Sequence, residues 1–212
     1  MRLSESLDRR ELMDLLSASG ALKRGHFELS SGRHSSAYVQ CALLLEDPAR
    51  AERVGRALGQ RLEDREIEAV VSPALGGVLI GYEVARYLAV PFRFAERVNG
   101  VMSLRRGFES KAGERTAIVE DVITTGLSTR ETADVVRKSG GEIVAIGAII
   151  DRRANRATPL EVPLLSLLQL DLPTFEPASC PLCSQGSAAE KPGSRPSQGS
   201  DQESGSQPSA SR

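Results

Sequence analysis

No apolar run in this 212-residue chain approaches the roughly 20 residues that a membrane-spanning helix needs. The first 20 residues are too charged for the apolar stretch of a secretory signal. An excess of one charge is missing as well: 27 Lys and Arg stand against 28 Asp and Glu, a formal net charge of −1. Such a balance gives no global electrostatic reason to bind nucleic acid or an anionic membrane. Cysteine is scarce, with three residues of which two lie in Cys180-Pro181-Leu182-Cys183, and that excludes a secreted disulfide scaffold. No internal repeat is visible. These absences predict a cytoplasmic protein with small-molecule partners.

What the chain does have is a 40% apolar fraction, unevenly spread along its length. Residues 3–21 predict a helix whose face is Leu7, Leu12, Leu15 and Leu16, stopped at Gly20. Phe27 and Leu29, the Ser31-Gly32 turn and Tyr38-Val39 predict a hairpin. Asp47-Pro48 opens a second helix, with a capping acid before a first-turn proline, and Ala51, Val54, Leu58 and Leu62 form its face. Strands are then expected at 67–71, 91–95, 118–119, 143–150 and 162–172, with a helix following the 72–78 loop to about Leu88 and another over 129–139. Residues 96–114 read as the least regular part of the domain, with turn signals at Asn99-Gly100, Gly107 and Gly113. Strands alternating with helices predict an α/β fold, an open, mainly parallel, Rossmann-like sheet flanked by helices.

The organising stretch is Ile118-Val119-Glu120-Asp121-Val122-Ile123-Thr124-Thr125-Gly126-Leu127-Ser128. A short β-branched strand, two carboxylates, a hydroxyl-rich glycine turn and a helix follow one another. Ligands of open α/β sheets bind just outside the carboxyl ends of strands, where these groups fall. Gly126 lets backbone N–H groups converge on an anion, and the helix N-terminus adds partial positive charge. The turn is therefore read as a phosphate cradle whose acids suit sugar hydroxyls or a metal. No Gly-Lys-Ser/Thr follows it and it is not a Gly-x-Gly-x-x-Gly turn, so neither usual nucleotide motif applies.

Strand, two acids and Thr-Gly-x-Ser resemble the ribose-5-phosphate loop of the type I phosphoribosyltransferases. The segment Phe27-Glu28-Leu29-Ser30-Ser31-Gly32-Arg33 through Tyr38 resembles the small hood of the branch that takes orotate as its acceptor. Asp151-Arg152 ending a buried strand resembles the same branch. The resemblance implies transfer of the phosphoribosyl group of phosphoribosyl pyrophosphate (PRPP) to orotate, with Mg²⁺ as cofactor and a homodimer as the working state. It implies PRPP contacts from Glu120, Asp121, Val122, Ile123, Thr124, Thr125, Gly126, Leu127 and Ser128. A second, pyrophosphate loop is implied at Ala74, Leu75, Gly76 and Gly77, where a non-proline cis peptide is frequent in the family and Gly76 replaces a common lysine. Arg152 and Thr124 would contact orotate, and Glu120 and Asp121 would serve catalysis. The mobile flap of the family maps to 96–114, without its usual lysines and histidine; Arg97 and Arg105 are the candidate cations there. Two other readings stay open: a purine-type transferase, and a PRPP-binding regulator without turnover.

Cys180-x-x-Cys183 has the spacing of half a zinc site, but neither Cys41 nor the two histidines supplies an obvious second half by spacing; two small buried thiols are the favoured reading over a metal or redox role, and no protein metal ligand is singled out. From residue 184 the chain is Ser, Gln, Gly, Pro and charged residues, which predicts disorder. The expected organisation is an N-terminal helix and hood over 1–45, a core over 46–183 and a disordered tail over 184–212.

Overall fold

The computed structural model describes residues 7–29, 31–153 and 160–192. Its centre is built from strands that are apolar on both faces. β3 (Ala69–Pro73) is buried at every position, and β7 (Glu142–Asp151) is buried along its last seven. Strands of this kind need helices on both sides, and the sequence supplies them between strands.

The main sheet has the order β5-β4-β3-β6-β7-β8, with β4 (Phe92–Val98), β6 (Arg115–Ile123) and β8 (Leu164–Gln169) parallel to β3 and β7. Only β5 (Val101–Leu104) runs antiparallel. On one face lie α1 (Arg9–Ala18), α2 (Cys41–Leu45), α3 (Pro48–Leu62) and α4 (Gly76–Leu88), whose Leu12, Leu16, Leu44, Leu58, Leu62 and Ile80 are fully buried. Each such side chain stabilises the fold by roughly 1.5–3 kcal/mol. The opposite face is covered by α5 (Leu127–Lys138), through Ala133 and Val136 on Ile118 and Ile146.

Local chemistry explains the element ends. Asp8 and Glu11 form a reciprocal capping box on α1, and the Asp47 carboxylate accepts the N–H groups of Ala49 and Arg50 ahead of Pro48. Gly55 and Gly59 on α3 let α4 approach so closely that a Cβ at either would strike Glu83 or Tyr87. A second, three-stranded sheet, β1-β2-β9, forms the hood from β1 (Leu22–Glu28), β2 (His34–Val39) and β9 (Thr174–Phe175). Among the described residues no helix is long and apolar enough to cross a membrane.

Three expectations are corrected. Residues 96–104 are regular: β4 continues to Val98, turns at Asn99-Gly100 with φ of 49° and 84°, and returns as β5. Two positive φ values are what a two-residue hairpin turn needs, so Asn-Gly marked a hairpin inside the supposed loop. Helix α1 is shorter than residues 3–21, since it starts after the Asp8 cap; residues 1–6 lie outside the described part, as does Ser30. The chain is also placed well past Cys183. α6 (Pro181–Ser184) is followed by a bridge of Glu190 to Phe27, with Glu190 N–H donating to His26 O and Glu28 N–H to Glu190 O, both at 2.8 Å. Backbone pairing with β1, which needs no apolar side chains, holds this polar stretch. Residues 193–212, the rest of the expected tail, lie outside the described residues.

Candidate active site

Strand β6 does not stop at its two acids; Val122 and Ile123 still pair with Ile150 and Asp151 of β7. Glu120 and Asp121 therefore obey strand alternation and leave opposite faces of the sheet. Glu120 is buried on the α5 side, near Thr129, and its Oε1 has no hydrogen-bond partner among the described residues. Burial, with the neighbouring Asp121 charge adding to it and Thr129 opposing it, raises its pKa to about 7. Asp121 faces α4: a Cβ on Gly76 would lie 2.8 Å from its Oδ1. Burial raises its pKa too, and its own N–H and that of Val122, the latter at 2.8 Å, pull the other way. The two carboxylates straddle the strand end. A buried carboxylate oxygen without a protein partner is an acceptor open to a water, an ion or a ligand hydroxyl.

Thr124 and Thr125 are exposed, and Gly126 turns the chain at a φ of 72° into α5. No side chain caps that helix. Its first amides, over Leu127, Ser128 and Thr129, are thus largely left for an incoming anion, the Leu127 N–H leaning on Thr125 Oγ1 at 3.3 Å. Arg130 folds back to donate to the Thr125 carbonyl at 3.0 Å, which keeps a positive charge beside the turn.

Facing this turn across β6 is the end of β3. The Ala74–Leu75 peptide bond is cis, as the family resemblance implied. Ala74 N–H donates to Ala95 O at 2.7 Å, and Leu75 is 86% exposed. Gly76 and Gly77 then begin α4, each too crowded for a side chain: a Cβ on Gly77 would stand 2.8 Å from the Val119 carbonyl. The loop at Ala74, Leu75, Gly76 and Gly77 is therefore packed directly against the carboxylate end of β6.

The third contribution comes from β7. Arg152 N–H donates to the Ile123 carbonyl at 2.8 Å, which fixes this residue beside the cradle. Two arginines follow Asp151, and the structure divides their roles. Arg153 takes the Asp151 carboxylate, its Nε at 3.0 Å from Oδ1 and its backbone N–H on the same oxygen. Arg152 keeps a buried Nε that has no hydrogen-bond partner among the described residues, next to Tyr38 and Cys41. Burial lowers its pKa, but an arginine remains charged at any physiological pH. Tyr38 was not singled out as a site residue. Its place in the Arg33–Tyr38 segment was legible, whereas its approach to Arg152 depends on how the hood folds over the core.

The remaining candidates lie elsewhere. Arg97 forms an ion pair with Glu131 on α5 and donates to Gly100 O at 3.2 Å. Arg105 is paired with Glu96 at 3.7 Å and is more than half exposed. Both sit on the β4–β5 hairpin and its exit, engaged there rather than with Glu120 or Asp121. Arg33 donates to Thr174 O at 3.0 Å and pairs with Glu176, so it fastens β2 to β9.

Comparison with known proteins bears on this geometry. A family model for the phosphoribosyl transferase domain matches residues 42–167. Orotate phosphoribosyltransferase of Thermotoga maritima is 52% identical over 184 residues, covering 87% of this chain and 98% of that protein. The protein of the same name from Desulforamulus reducens is 46% identical over 189 residues, covering 89% and 98%. Among solved structures, orotate phosphoribosyltransferase from Aeropyrum pernix superposes with a TM-score of 0.62 at 29% identity, over 75% of this chain and 93% of that one.

Proposed function

The chain belongs to the phosphoribosyl transferase domain family, and from that premise we propose that it transfers the phosphoribosyl group of PRPP to orotate. The products are orotidine 5′-monophosphate and diphosphate, a step of de novo pyrimidine synthesis. The observation that carries the choice of acceptor is the buried Nε of Arg152, which has no partner among the described residues while Arg153 engages Asp151. A planar guanidinium matches a ring carboxylate in a two-bond fork, and a purine offers no such group.

The residues divide the work. The amides from Gly126 onward and the hydroxyls of Thr124, Thr125 and Ser128 hold the 5-phosphate. Glu120 and Asp121, on either side of the strand end, hold the ribose hydroxyls and tolerate the positive character that C1 acquires as its bond to diphosphate breaks. Orotate N1 gives up its proton and bonds to that carbon from the side of Arg152, diphosphate leaving as it does so, with Thr124 as the loop hydroxyl on the acceptor. Because Arg152 fixes the acceptor, encounter becomes alignment. The partnerless Glu120 Oε1 and the Asp121 carboxylate are hard oxygen donors that fit Mg²⁺, which they would hold through the ribose hydroxyls. Bound Mg²⁺ supplies charge neutralisation for the departing diphosphate.

The flap cations are Arg97 and Arg105. Their ion pairs are surface pairs, each worth about 0–1 kcal/mol, so a diphosphate can replace Glu131 and Glu96 at little cost. Pairing of two copies is supported by Leu75, Leu79 and Tyr82, exposed at 86%, 49% and 56% along one side of α4. The test of the reading is a base panel: PRPP, Mg²⁺ and each of orotate, uracil, adenine, hypoxanthine and xanthine, with turnover expected for orotate alone.

A further inference from the structure

Far along the chain from the cradle, four side chains that ordinarily bind soft metals converge at the base of the hood. His26 Nε2 and His34 Nδ1 face each other at 2.9 Å. Cys180 Sγ lies 3.5 Å from His26 Nε2, and Cys183 Sγ lies 3.8 Å from His26 Nε2 and 3.3 Å from His34 Nδ1. All four donor atoms fall within 4.8 Å of one another. A tetrahedral ion with Zn–N near 2.0–2.1 Å and Zn–S near 2.3 Å needs donor atoms about 3.3–3.8 Å apart. The cluster is close to that size before any ion enters.

We propose that His26, His34, Cys180 and Cys183 form a structural Zn²⁺ site that clamps the C-terminal segment onto the β1–β2 hairpin. Three further observations support it. The Nδ1 of His26 is 2.9 Å from the Ser187 carbonyl, an acceptor only, so Nδ1 carries the proton and Nε2 turns its lone pair into the cluster. Metal-bound histidines have this outer hydrogen bond almost without exception. His26, His34 and Cys180 are buried, which is costly for converging polar atoms unless something between them satisfies them. Both thiols are free, on a Cys-Pro-Leu-Cys turn that opens α6. Two nitrogens and two thiolates select Zn²⁺ over Mg²⁺ or Ca²⁺, and four protein ligands leave no open position for catalysis. Each thiol that binds releases its proton to solvent, and no electron is transferred.

The clamp has a place to act. β9 pairs with β2 over only His34↔Phe175 and Ser35↔Thr174, and Glu190 bonds to β1 on the other side. So slight a sheet needs a further link to hold its shape. Zn²⁺ would join ligands 154 and 157 residues apart, and β2 continues from His34 to Tyr38, the neighbour of Arg152. The ion therefore acts as a positioning device for the hood rather than as a catalytic one.

Full-length protein purified without chelator should contain one zinc per chain by elemental analysis. Replacing it with Co²⁺ should give the visible and thiolate charge-transfer absorption of a tetrahedral nitrogen–sulfur site. Chelation should lower the melting temperature, and Zn²⁺ alone should restore it. Cys183→Ser, at an exposed position where misfolding is not expected, should weaken Zn²⁺ binding by more than the roughly hundredfold typical of losing an outer partner. Its melting temperature should no longer respond to chelation. The proposal is overturned if the protein binds no Zn²⁺ or Co²⁺ on reconstitution, if Cys183→Ser binds Zn²⁺ as tightly as the parent, or if mass analysis of the freshly purified chain finds Cys180 joined to Cys183 as a disulfide.

Discussion

At the scale of single residues, Glu120 carries the clearest pH signature. Its pKa in the folded protein, about 7, lies above the ordinary 4.5. The folded state therefore prefers the protonated form. That contribution to stability is fully present below the unfolded value and is lost as the pH rises through about 7. Between those limits the slope from this group is at most about 1.4 kcal/mol per pH unit. Glu120→Gln should flatten the decline of unfolding free energy in that window, measured by denaturant titration at several pH values. An unchanged pH profile would remove the buried-carboxyl assignment. PRPP binding should run the opposite way, because ribose hydroxyls and Mg²⁺ favour the ionised acid.

Gly76 offers a second test at this scale. Alanine there would place a Cβ 2.8 Å from Asp121 Oδ1, so the carboxylate has to move. We expect Gly76→Ala to raise the KM for PRPP with little change in that for orotate, at an overpacking cost of about 1–3 kcal/mol. Equal effects on both substrates would mean that Gly76 and Asp121 do not form one subsite. The acids and the Thr-Gly turn were legible in the sequence because they are nearly contiguous and lie at the carboxyl end of an apolar strand. That Glu120 and Asp121 part to opposite faces follows from the strand continuing to Ile123, and the two apolar residues after the acids gave no sign of pairing.

At the scale of elements, the least legible part was the region of residues 96–114. Its charges and glycines read as a loop, although Val98 and Val101 flank an Asn-Gly turn and pair across it as a two-residue hairpin demands. Edge position explains the ambiguity, since a strand with one neighbour needs fewer apolar residues. If Arg97 and Arg105 serve as flap cations, Arg97→Ala and Arg105→Ala should each lower kcat by roughly tenfold or more, a charge-assisted contact being worth about 1.5–3 kcal/mol. Melting temperatures should hardly change, because the arginine of each pair is exposed and its bond to Glu131 or Glu96 lies at the surface. A loss of stability with full kcat would assign them to the hairpin alone. The metal-type cluster was equally hidden. Its Cys-x-x-Cys half was visible, but the histidines precede it by some 150 residues, a separation that only the folded hood removes.

At the scale of the whole molecule, the chain closes on itself: the segment after β9 returns to β1, next to the N-terminal helix and the hood. Truncation after residue 183 removes the Ser187–His26, Glu190–His26 and Glu28–Glu190 bonds. At about 0.5–1.5 kcal/mol each, their loss should lower the melting temperature by several degrees relative to a chain ending at residue 192. Identical melting curves for the two would show that this segment adds nothing to the hood. The parallel sheet, by contrast, was readable nearly strand for strand. β3 and β7 are apolar on both faces, and that pattern leaves little choice of environment.

The central claim is that Arg152 selects orotate, and one comparison tests it most directly. Initial rates with PRPP, Mg²⁺ and varied orotate should be measured for the parent chain, Arg152→Lys and Arg152→Ala. The parent should turn over orotate but not uracil or purines. In the alanine variant kcat/KM for orotate should fall roughly tenfold to over a hundredfold, the worth of a hydrogen bond to a charged group. The lysine variant should also lose activity, since an ammonium cannot form the planar fork, and the KM for PRPP should be little changed in both. Parental kcat/KM for orotate in Arg152→Ala, or parental turnover of a purine, would contradict the account.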